Sequence, residues 1–322
     1  MEVIYYTYPW AMEKIGGGER QLLAYREHLA RNGIKIRLFD MWNPDFGNAN
    51  IFHCFSVMPG LVEVCDYAKK QGLKLIISPN LWITKTTKNS YPFDSIWNML
   101  YLADYIIVNS YMELRELSDV FGFPETKFKV VYNGAETDFL LPEDPLIFRN
   151  KFNILSPYVL NVANIEPRKN QLRFIKNLRQ ERPDLTFVIA GLVRDQEYAE
   201  ACRTVGMDKI KIIGPLPYAS SILRSALYNC EFFAMPSILE TPSIAAIEAA
   251  TIGSKVLLTA NGSTKEYFGD SVTYVDPESD KSIIEGIQSV IKSNSDKSIW
   301  VARHSYLWPK VIKNLISLYK EL

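Results

Sequence analysis

Short, continuous apolar runs alternate with longer amphipathic stretches along almost the whole chain. Uninterrupted runs of Val, Ile, Leu and Phe are typical of strands that are buried on both faces of a parallel sheet. The amphipathic stretches between them are typical of helices that cover such a sheet, so the pattern predicts an α/β fold of repeated strand–helix units. The predicted strands number six in each half: Val3–Tyr6, Ile34–Phe39, Ile51–Phe55, Leu73–Ser78, Tyr105–Asn109 and Phe128–Val131, then Tyr158–Val162, Thr186–Ala190, Ile210–Ile213, Glu231–Met235, Lys255–Thr259 and Ser271–Val275. The clearest predicted helices are Glu19–Arg31, Met112–Phe121, Gln171–Gln180 and Ile283–Lys292.

The length of 322 residues and a break near the middle of the chain indicate two domains. The break is the segment Leu140–Pro145, which carries two prolines and two acidic residues. We therefore expect two doubly wound, Rossmann-like domains around a central cleft, because ligands bind at the carboxyl strand edges of such sheets. A last helix, Trp308–Leu322, follows the second set of strands and need not stay with it.

Composition narrows the class of protein. Apolar residues make up 48% of the chain and charged residues 22%, as in an ordinary globular protein. The 36 Lys and Arg residues balance 36 Asp and Glu residues, so the chain lacks the basic excess typical of nucleic-acid binding. Four widely spaced cysteines and only three histidines argue against a metal site. With no apolar stretch of membrane-spanning length and a strand in place of a signal peptide, we expect a cytoplasmic protein.

Two carboxylates lie eight positions apart, at Glu240 and Glu248, after the apolar run Phe232–Pro236. An Ala- and Ile-rich helix, expected to begin near Pro242 and to end near Gly253, would present backbone amides and its positive end at the carboxyl edge of the sheet. The neighbours of Glu248 are mostly Ala and Ile, so its carboxylate is predicted to be buried and to need partners, either ribose hydroxyls or an internal Arg. Amides for an anion and carboxylates for hydroxyls are the chemistry expected of a sugar nucleotide.

Two further loops could hold an anion. Gly16–Gly18 follows the first strand and opens the first long helix, which favours close approach of a ligand, although a flexible turn explains it equally well. Arg168 and Lys169 follow the first strand of the second half, where we expect them to begin a helix. Cations oppose the dipole of a helix start, so a phosphate partner would explain them better than solvent does.

Weaker signals follow the fourth strand. Asn80 and Trp82 lie where an acceptor could be bound, but a capping Asn and a packed Trp are equally good interpretations. An apolar patch around Leu81–Ile83 could touch lipid or an acceptor, as a weak peripheral membrane contact. His53 lies within a predicted strand and is expected to be a hydrogen-bonded core histidine.

With these motifs, the chain resembles the retaining glycosyltransferases of family 4, which have the GT-B fold. The resemblance covers almost the whole chain, and its most specific mark is the spacing of the two glutamates after Pro-Ser. The motifs that carry it are Gly17-Gly18-Glu19-Arg20, Ser110 to Leu117, Tyr132-Asn133-Gly134-Ala135, Glu166 to Asn170, Pro236-Ser237 with Glu240 and Glu248, and Ser305 to Val311.

The resemblance implies an N-terminal acceptor-side domain (residues 1–142), a C-terminal nucleotide-sugar domain (143–303) and a final helix (304–322) that packs back on the first. It implies transfer, with retention, of a hexose from a UDP- or GDP-linked sugar to a glycan or lipid-linked glycan acceptor. Cell-surface polysaccharide or glycoconjugate synthesis at the inner face of the membrane is the expected setting. Neither a metal nor a cofactor is expected, because cations and amides can stabilise the leaving diphosphate.

The resemblance also assigns roles to individual residues. Glu240, near the anomeric centre, and Lys169, at the diphosphate, are the expected catalytic residues, and Glu248 is expected to hold the ribose. The full set of expected donor-binding residues is Arg168, Glu248, Gly17, Gly18, Thr241, Ser243, Ile244 and Asn164, with Asn80 and Trp82 on the acceptor side.

Three positions depart from the family pattern. Thr241-Pro242-Ser243 replaces Gly-Phe-Gly, so that one backbone donor is lost at Pro242. Asn164 stands where the family has an Arg, which leaves Lys169 and Arg168 more of the phosphate charge. Asn80 replaces a common His. Because of these changes, an alternative function remains open, in which the protein binds nucleotide sugars without transferring the sugar. The interpretation as a nicotinamide oxidoreductase would depend on Gly16–Gly18 alone, because the chain lacks the glycine spacing of the dinucleotide-binding fingerprint.

Overall fold

All twelve predicted strands form in the structure, a computed structural model that describes residues 1–13 and 15–322. Each strand begins and ends within two residues of its predicted bounds. The strands are β1 (Glu2–Tyr6), β2 (Lys35–Leu38), β3 (Ile51–Phe55), β4 (Lys74–Ser78), β5 (Tyr105–Val108), β6 (Phe128–Val130), β7 (Tyr158–Val162), β8 (Thr186–Ala190), β9 (Ile210–Ile213), β10 (Phe232–Met235), β11 (Val256–Thr259) and β12 (Thr273–Val275).

Within the residues that the structure describes, helices connect the strands, and five short 3-10 turns lie among them. The helices are α1 (Gly17–Arg31), α2 (Val62–Lys70), α3 (Phe93–Leu102), α4 (Tyr111–Phe121), α5 (Pro145–Phe152), α6 (Gln171–Glu181), α7 (Gln196–Gly206), α8 (Ser221–Tyr228), α9 (Ile244–Ile252), α10 (Thr264–Phe268), α11 (Asp280–Lys292), α12 (Asp296–Ser305) and α13 (Trp308–Glu321). The 3-10 turns are Lys88–Ser90, Glu125–Lys127, Thr137–Leu140, Pro167–Lys169 and Met207–Lys209.

The strands form two six-stranded sheets, and all the strand pairs are parallel. The orders are β2-β1-β3-β4-β5-β6 and β12-β11-β10-β7-β8-β9. Both are doubly wound, because each chain half adds strands first to one side of its starting strand and then to the other. The predicted α/β class with two doubly wound domains is therefore confirmed.

The chain divides into two compact units. The first comprises Met1–Asn133 together with Trp308–Leu322, and the second comprises Gly134–Leu307. The second unit thus begins earlier than the expected boundary at residue 142, and it ends later than the expected boundary at residue 303.

The early start of the second unit has a structural cause in Arg224 of α8. Its guanidinium lies 3.6 Å from the Asp138 carboxylate and 2.7 Å from the Glu143 carboxylate. Phe139, between them, is fully buried. The segment that looked like a free linker in sequence is therefore packed and ion-paired within the second unit.

In the first unit, α13 packs beside α1. The buried Trp308 ring lies 5.9 Å from the Tyr25 ring, edge to face. Tyr319 hydrogen bonds to His53 Nδ1 at 2.6 Å, and Ser78 Oγ lies 2.8 Å from His53 Nε2. Both ring nitrogens of the buried His53 are thus hydrogen-bonded, which confirms the prediction of a satisfied core histidine.

Candidate functional site

The second sheet changes its direction of winding between β7 and β10, which lie side by side. In open parallel sheets, the crevice at the carboxyl ends of the two strands flanking such a switch point is where ligands bind. Two loops lie at that position: residues 163–170 after β7, and residues 236–243 after β10. They carry most of the residues that the sequence assigns to a donor.

Hydrogen bonds join these two loops. Ile238 N donates to the Arg168 carbonyl at 2.9 Å. The Asn170 amide donates to the carbonyls of Pro236 at 3.1 Å and Pro277 at 2.8 Å. Asn170 has a φ of 58°, a left-handed conformation that Asn adopts more easily than most residues. The loops therefore form one connected unit in which the side chains have fixed positions.

The expected helix start at Arg168 and Lys169 is wrong. Pro167–Lys169 forms a 3-10 turn, and α6 begins at Gln171, after the left-handed Asn170. The left-handed residue breaks the helical path between the turn and α6. The two cations therefore precede α6 and are not part of its first turn.

Lys169 and Glu240 form a buried ion pair between the two loops. Lys169 Nζ donates to Glu240 Oε1 at 2.6 Å, and the side chains are only 11% and 7% exposed. Burial by itself would raise the pKa of the Glu240 carboxyl, but the Lys169 ammonium outweighs it and holds that pKa below its ordinary value. The site thus holds two opposite charges in a desolvated place, where electrostatic interactions are strong.

Arg168 has a different environment. Its guanidinium lies 3.0 Å from the Glu166 carboxylate, and more than half of its side chain is exposed. An exposed ion pair of this kind contributes little to stability and is easily exchanged for another anion. Of the two predicted diphosphate cations, only Lys169 is held in a buried position.

The backbone around Glu240 is held by its neighbour loop. Its carbonyl accepts from Ser263 N at 3.0 Å, and its N–H donates to the Asn261 carbonyl at 3.3 Å. Gly262 has a φ of 89°, and a Cβ there would lie 2.0 Å from the Glu240 carbonyl oxygen. Only glycine allows this approach, so the loop conformation that orients the Glu240 carboxylate depends on it.

Helix α9 begins at Ile244, two residues later than expected, because Ser243 caps it. The Ser243 hydroxyl accepts from Ala246 N at 3.2 Å. Pro242 lies before the cap, so its missing N–H does not remove an amide from the helix start. The amides of Ile244 and Ala245 have no acceptor within the helix and remain suited to an anion.

Glu248 is 3% exposed on α9, as predicted. It is the fifth residue of the helix, so it lies little more than one turn from the start. Gly253, with a φ of 113°, ends the helix as the sequence indicated. Thr241 is half-buried in the loop between Glu240 and the cap.

Asn164 has a partner that the sequence reasoning missed. With its amide oriented by hydrogen bonding, the Asn164 oxygen accepts from Arg194 Nε at 2.9 Å and from Arg194 Nη2 at 3.3 Å. Arg194 follows β8, the neighbour of β7. Its place after a predicted strand was the available signal, but only the strand order shows that β8 adjoins β7.

In the first unit, α1 begins at Gly17, close to its predicted start. A Cβ on Gly18 would lie 3.1 Å from Asn80 Nδ2, whereas a Cβ on Gly17 would meet nothing within 4 Å. Asn80 itself has a left-handed φ of 49°. The structure therefore brings Gly18 and Asn80 together, and this close packing explains why a residue without a side chain is found at position 18.

Glu19 of the same motif has a structural role. Its carboxylate accepts from Gly16 N at 2.7 Å and from the Tyr8 hydroxyl at 2.5 Å. The first bond closes the helix start, and the second holds the loop after β1 against it. The Gly-rich loop is thus fixed by its own glutamate, in place of the flexible turn considered from sequence.

The apolar patch expected around Leu81–Ile83 is only partly accessible in the structure. Ile83 is fully buried, and Leu81 packs against the core of the first unit, because the loop folds inward after Asn80. Trp82 is half-buried. Within residues 1–13 and 15–322, no helix combines the length and the apolar character that a membrane span requires.

Two family profiles match the chain. The family described as "Glycosyl transferases group 1" matches residues 144–303, and the one described as "Glycosyltransferase Family 4" matches residues 42–139. Each profile falls largely within one half of the chain.

Curated relatives are similar over part of their length. An uncharacterized glycosyltransferase of Methanocaldococcus jannaschii is 26% identical over 70% of this chain and 63% of its own. The N-acetylgalactosamine-N,N'-diacetylbacillosaminyl-diphospho-undecaprenol 4-alpha-N-acetylgalactosaminyltransferase of Campylobacter jejuni is 24% identical over 67% of this chain and 59% of its own. The chain thus spans about three fifths of the length of these relatives.

Solved structures resemble the whole chain. HepE of Anabaena, crystallised with UDP-glucose, has a TM-score of 0.83 at 15% identity, with all of both chains covered. Sucrose-phosphate synthase of Thermosynechococcus elongatus has a TM-score of 0.81 at 15% identity, covering 100% of this chain and 99% of that one. At this identity the likeness establishes the fold alone.

Proposed function

The chain belongs to the group 1 glycosyl transferases, with a GT-B fold, and we propose that it transfers a hexose from a nucleoside diphosphate sugar to a glycan or glycolipid acceptor. The relative from Campylobacter is named for transfer to a diphospho-undecaprenol-linked glycan, and HepE was crystallised with UDP-glucose. These names support a UDP-linked donor and a lipid-linked glycan acceptor, with a role in surface glycoconjugate or polysaccharide synthesis.

The buried pair of Lys169 and Glu240 at the β7–β10 switch point is the observation that carries the proposal. A diphosphate entering this site takes Lys169 as its counter-charge. The amides of Ile244 and Ala245 add donors from the helix start. When the bond to the anomeric carbon breaks, negative charge grows on the leaving diphosphate, and these preorganised groups stabilise it.

Glu240 changes partner in the same event. Once Lys169 turns to the diphosphate, the carboxylate faces the donor sugar, where it accepts a hydroxyl and stabilises positive charge developing at the anomeric carbon. Before the donor binds, the Lys169 ammonium holds the pKa of the Glu240 carboxyl below its ordinary value, so the carboxylate is ionised in the paired state. Glu248, buried on α9, accepts the ribose hydroxyls.

The remaining residues complete the proposed donor site. Thr241 and Ser243 line the loop that precedes α9. Gly17 and Gly18, at the start of α1, are proposed to bind the donor as well, because glycine allows a ligand to approach the backbone closely. Asn80 and Trp82, after β4, are proposed to contact the acceptor.

Transfer is tested with UDP-, GDP- and ADP-hexoses, by measuring release of nucleoside diphosphate and the glycosylated product. Glu240→Ala, Glu248→Ala and Lys169→Ala should each lower kcat/KM by about a hundredfold or more, a size typical of losing one group that stabilises transition-state charge. Lys281→Ala, an exposed residue on α11, is the matched control. Wild-type turnover in all three site variants would overturn the proposal.

We further propose that transfer proceeds with retention and without a metal, since Lys169 and the helix amides supply the positive charge. Proton NMR of the fresh product should show the anomeric configuration of the donor. Turnover should survive an excess of EDTA. An inverted product, or activity restored only by a divalent cation, would contradict these two points.

The alternative function is binding of a nucleotide sugar without transfer. It was suggested by Pro242, which lacks a backbone donor, and by Asn164, which replaces an Arg of the family pattern. Pro242 lies outside α9, so the helix start keeps its amides. Tight binding of a nucleotide sugar without any product across a panel of glycan and lipid-linked acceptors would favour this alternative.

A further inference from the structure

Asn164 and Arg194 lie on neighbouring loops at one edge of the second sheet. Strands β7 and β8 are parallel and in register, with Val162 opposite Ala190, so the loops leave the sheet at the same level. Asn164 is two residues beyond the end of β7, and Arg194 is four residues beyond the end of β8. Both residues are therefore at the carboxyl edge: Asn164 shares the loop after β7 with Lys169, and Arg194 lies on the loop of the next strand, β8.

The backbone holds the two loops together. Ile165 N donates to the Leu192 carbonyl at 2.8 Å, and Arg194 N donates to the Ile165 carbonyl at 3.1 Å. A Cβ on Gly191 would lie 2.0 Å from the Ala163 carbonyl oxygen, so glycine is needed there for the loops to approach. These contacts fix where the Arg194 side chain begins.

Asn164 then orients the guanidinium. Its amide oxygen accepts from Arg194 Nε at 2.9 Å and from Nη2 at 3.3 Å. A guanidinium has five N–H donors, so three remain available after these two bonds. An amide oxygen is neutral, which means that Asn164 positions the guanidinium without cancelling its charge.

The charge balance singles out Arg194 among the cations of this edge. Lys169 is paired with Glu240, and Arg168 is paired with Glu166. Across the described ranges 1–13 and 15–322, no carboxylate lies within 4.0 Å of Arg194.

The adjacent Asp195 does not supply the missing counter-charge. Its carboxylate accepts from Tyr198 N at 2.9 Å, where it caps α7. The side chain of Arg194 is thus exposed, oriented and electrostatically unopposed.

We propose that Arg194 binds the diphosphate of the donor, with Asn164 as its positioning residue. The family pattern has an Arg at position 164, where this chain has Asn. The guanidinium of Arg194, on the loop of the next strand, would then take the place of that missing Arg. A planar guanidinium suits phosphate oxygens because it can donate two parallel hydrogen bonds. This inference rests on the proposed function, and it assigns Asn164 an indirect role.

Binding of UDP, GDP and ADP, and of UMP, GMP and AMP, is measured by isothermal titration calorimetry for matched variants. Arg194→Gln should weaken binding of the preferred nucleoside diphosphate about tenfold or more, a size typical of charge-assisted hydrogen bonds, and should weaken its monophosphate far less. Arg194→Lys should recover part of the loss. Arg203→Gln, which removes an exposed cation from α7, is the control and should bind like the wild type.

The variant Asn164→Asp tests whether Asn164 acts by positioning Arg194 or by contacting the nucleotide directly. The new carboxylate has nearly the same shape but neutralises Arg194, so we expect a loss close to that of Arg194→Gln without removal of a cation. The double variant Asn164→Asp with Arg194→Gln should lose no more affinity for the nucleoside diphosphate than Arg194→Gln alone, because Asn164 acts through Arg194. Equal melting temperatures of the unliganded variants would show that the fold is unchanged.

Three results would overturn the inference in distinguishable ways. If Arg194→Gln binds like the wild type while Lys169→Met loses affinity, Arg194 has no part in the site and the proposed function stands. If diphosphate and monophosphate weaken equally, Arg194 acts only by holding the loop. If the wild type binds none of the nucleotides and shows no turnover, the proposed function fails, and the inference fails with it.

Discussion

At the scale of single residues, the site depends on a carboxylate and an ammonium that are both desolvated. Removing a charged group from water costs several kcal/mol, and the Lys169–Glu240 pair offsets that cost only while both partners are present. The same pair keeps Glu240 ionised. Stability and proposed catalysis therefore depend on the same two atoms, Lys169 Nζ and Glu240 Oε1.

We expect the single substitution Lys169→Met to cost about 3–5 kcal/mol of unfolding free energy, because it leaves Glu240 charged and buried without a partner. The double variant Lys169→Met with Glu240→Gln should cost less than this single substitution. Urea denaturation of the four proteins in the double-mutant cycle measures the coupling. Additive losses would contradict the pairing seen in the structure.

His53 predicts how stability depends on pH. Burial lowers its pKa well below the ordinary value of 6.5, so the folded state holds the ring neutral while the unfolded state takes up a proton. The unfolded state then binds more protons below about pH 6.5, and stability is lost as the pH falls below that value. Denaturation midpoints between pH 7.5 and 5 should decline for the wild type and decline less for His53→Gln. Equal slopes would contradict this account.

At the scale of secondary structure elements, the site is built from loops whose shape depends on particular backbone conformations. Gly262 approaches the Glu240 carbonyl, Asn170 ends the turn after β7, and Ser243 starts α9. Such positions combine a special φ or cap with a functional side chain nearby. The loops are therefore less tolerant of substitution than surface loops usually are.

Gly262→Ala should lower turnover at least tenfold, because a Cβ 2.0 Å from the Glu240 carbonyl oxygen forces the loop to shift. Gly269→Ala is the matched control: it also has a positive φ, of 54°, but its Cβ would meet nothing within 4 Å. Both should lose some stability through strain. Equal turnover in the two variants would contradict a steric role for Gly262.

The sequence alone was sufficient for the strands and insufficient for the loops. Continuous apolar runs predicted every strand, because only buried strands need such runs. The sequence predicted the helix from Gln171, but it did not show that Arg168 and Lys169 form a separate 3-10 turn, because the left-handed Asn170 between the turn and α6 leaves no local pattern. Arg194 was missed because its position beside Asn164 follows from strand order, which no local pattern contains.

At the scale of the whole molecule, chain order and spatial order differ. Helix α13 belongs to the first unit although it lies at the end of the sequence. It completes a buried polar network there, in which Tyr319 connects His53 to Tyr5. The first unit therefore requires the last residues of the chain for its core.

Trp308→Ala should lower the free energy of unfolding by about 3–5 kcal/mol, because removal of a fully buried ring beside Tyr25 leaves a large cavity. Trp300→Ala removes the same side chain from an exposed place on α12, where 61% of it is accessible, and should change stability by less than about 1 kcal/mol. Thermal and urea unfolding of both variants provide the comparison. Similar losses in the two variants would contradict the packing of α13 on the first unit.

The proposed transfer requires that Lys169, released from Glu240, binds the diphosphate of a sugar nucleotide. The most direct measurement is calorimetric titration of UDP, GDP and ADP into the wild type and Lys169→Met, with Lys281→Ala as the control. At least one nucleotide should bind the wild type and the control, and its affinity should fall about tenfold or more in Lys169→Met. Unchanged affinity in Lys169→Met, or no binding of any of the three nucleotides to the wild type, would contradict the account.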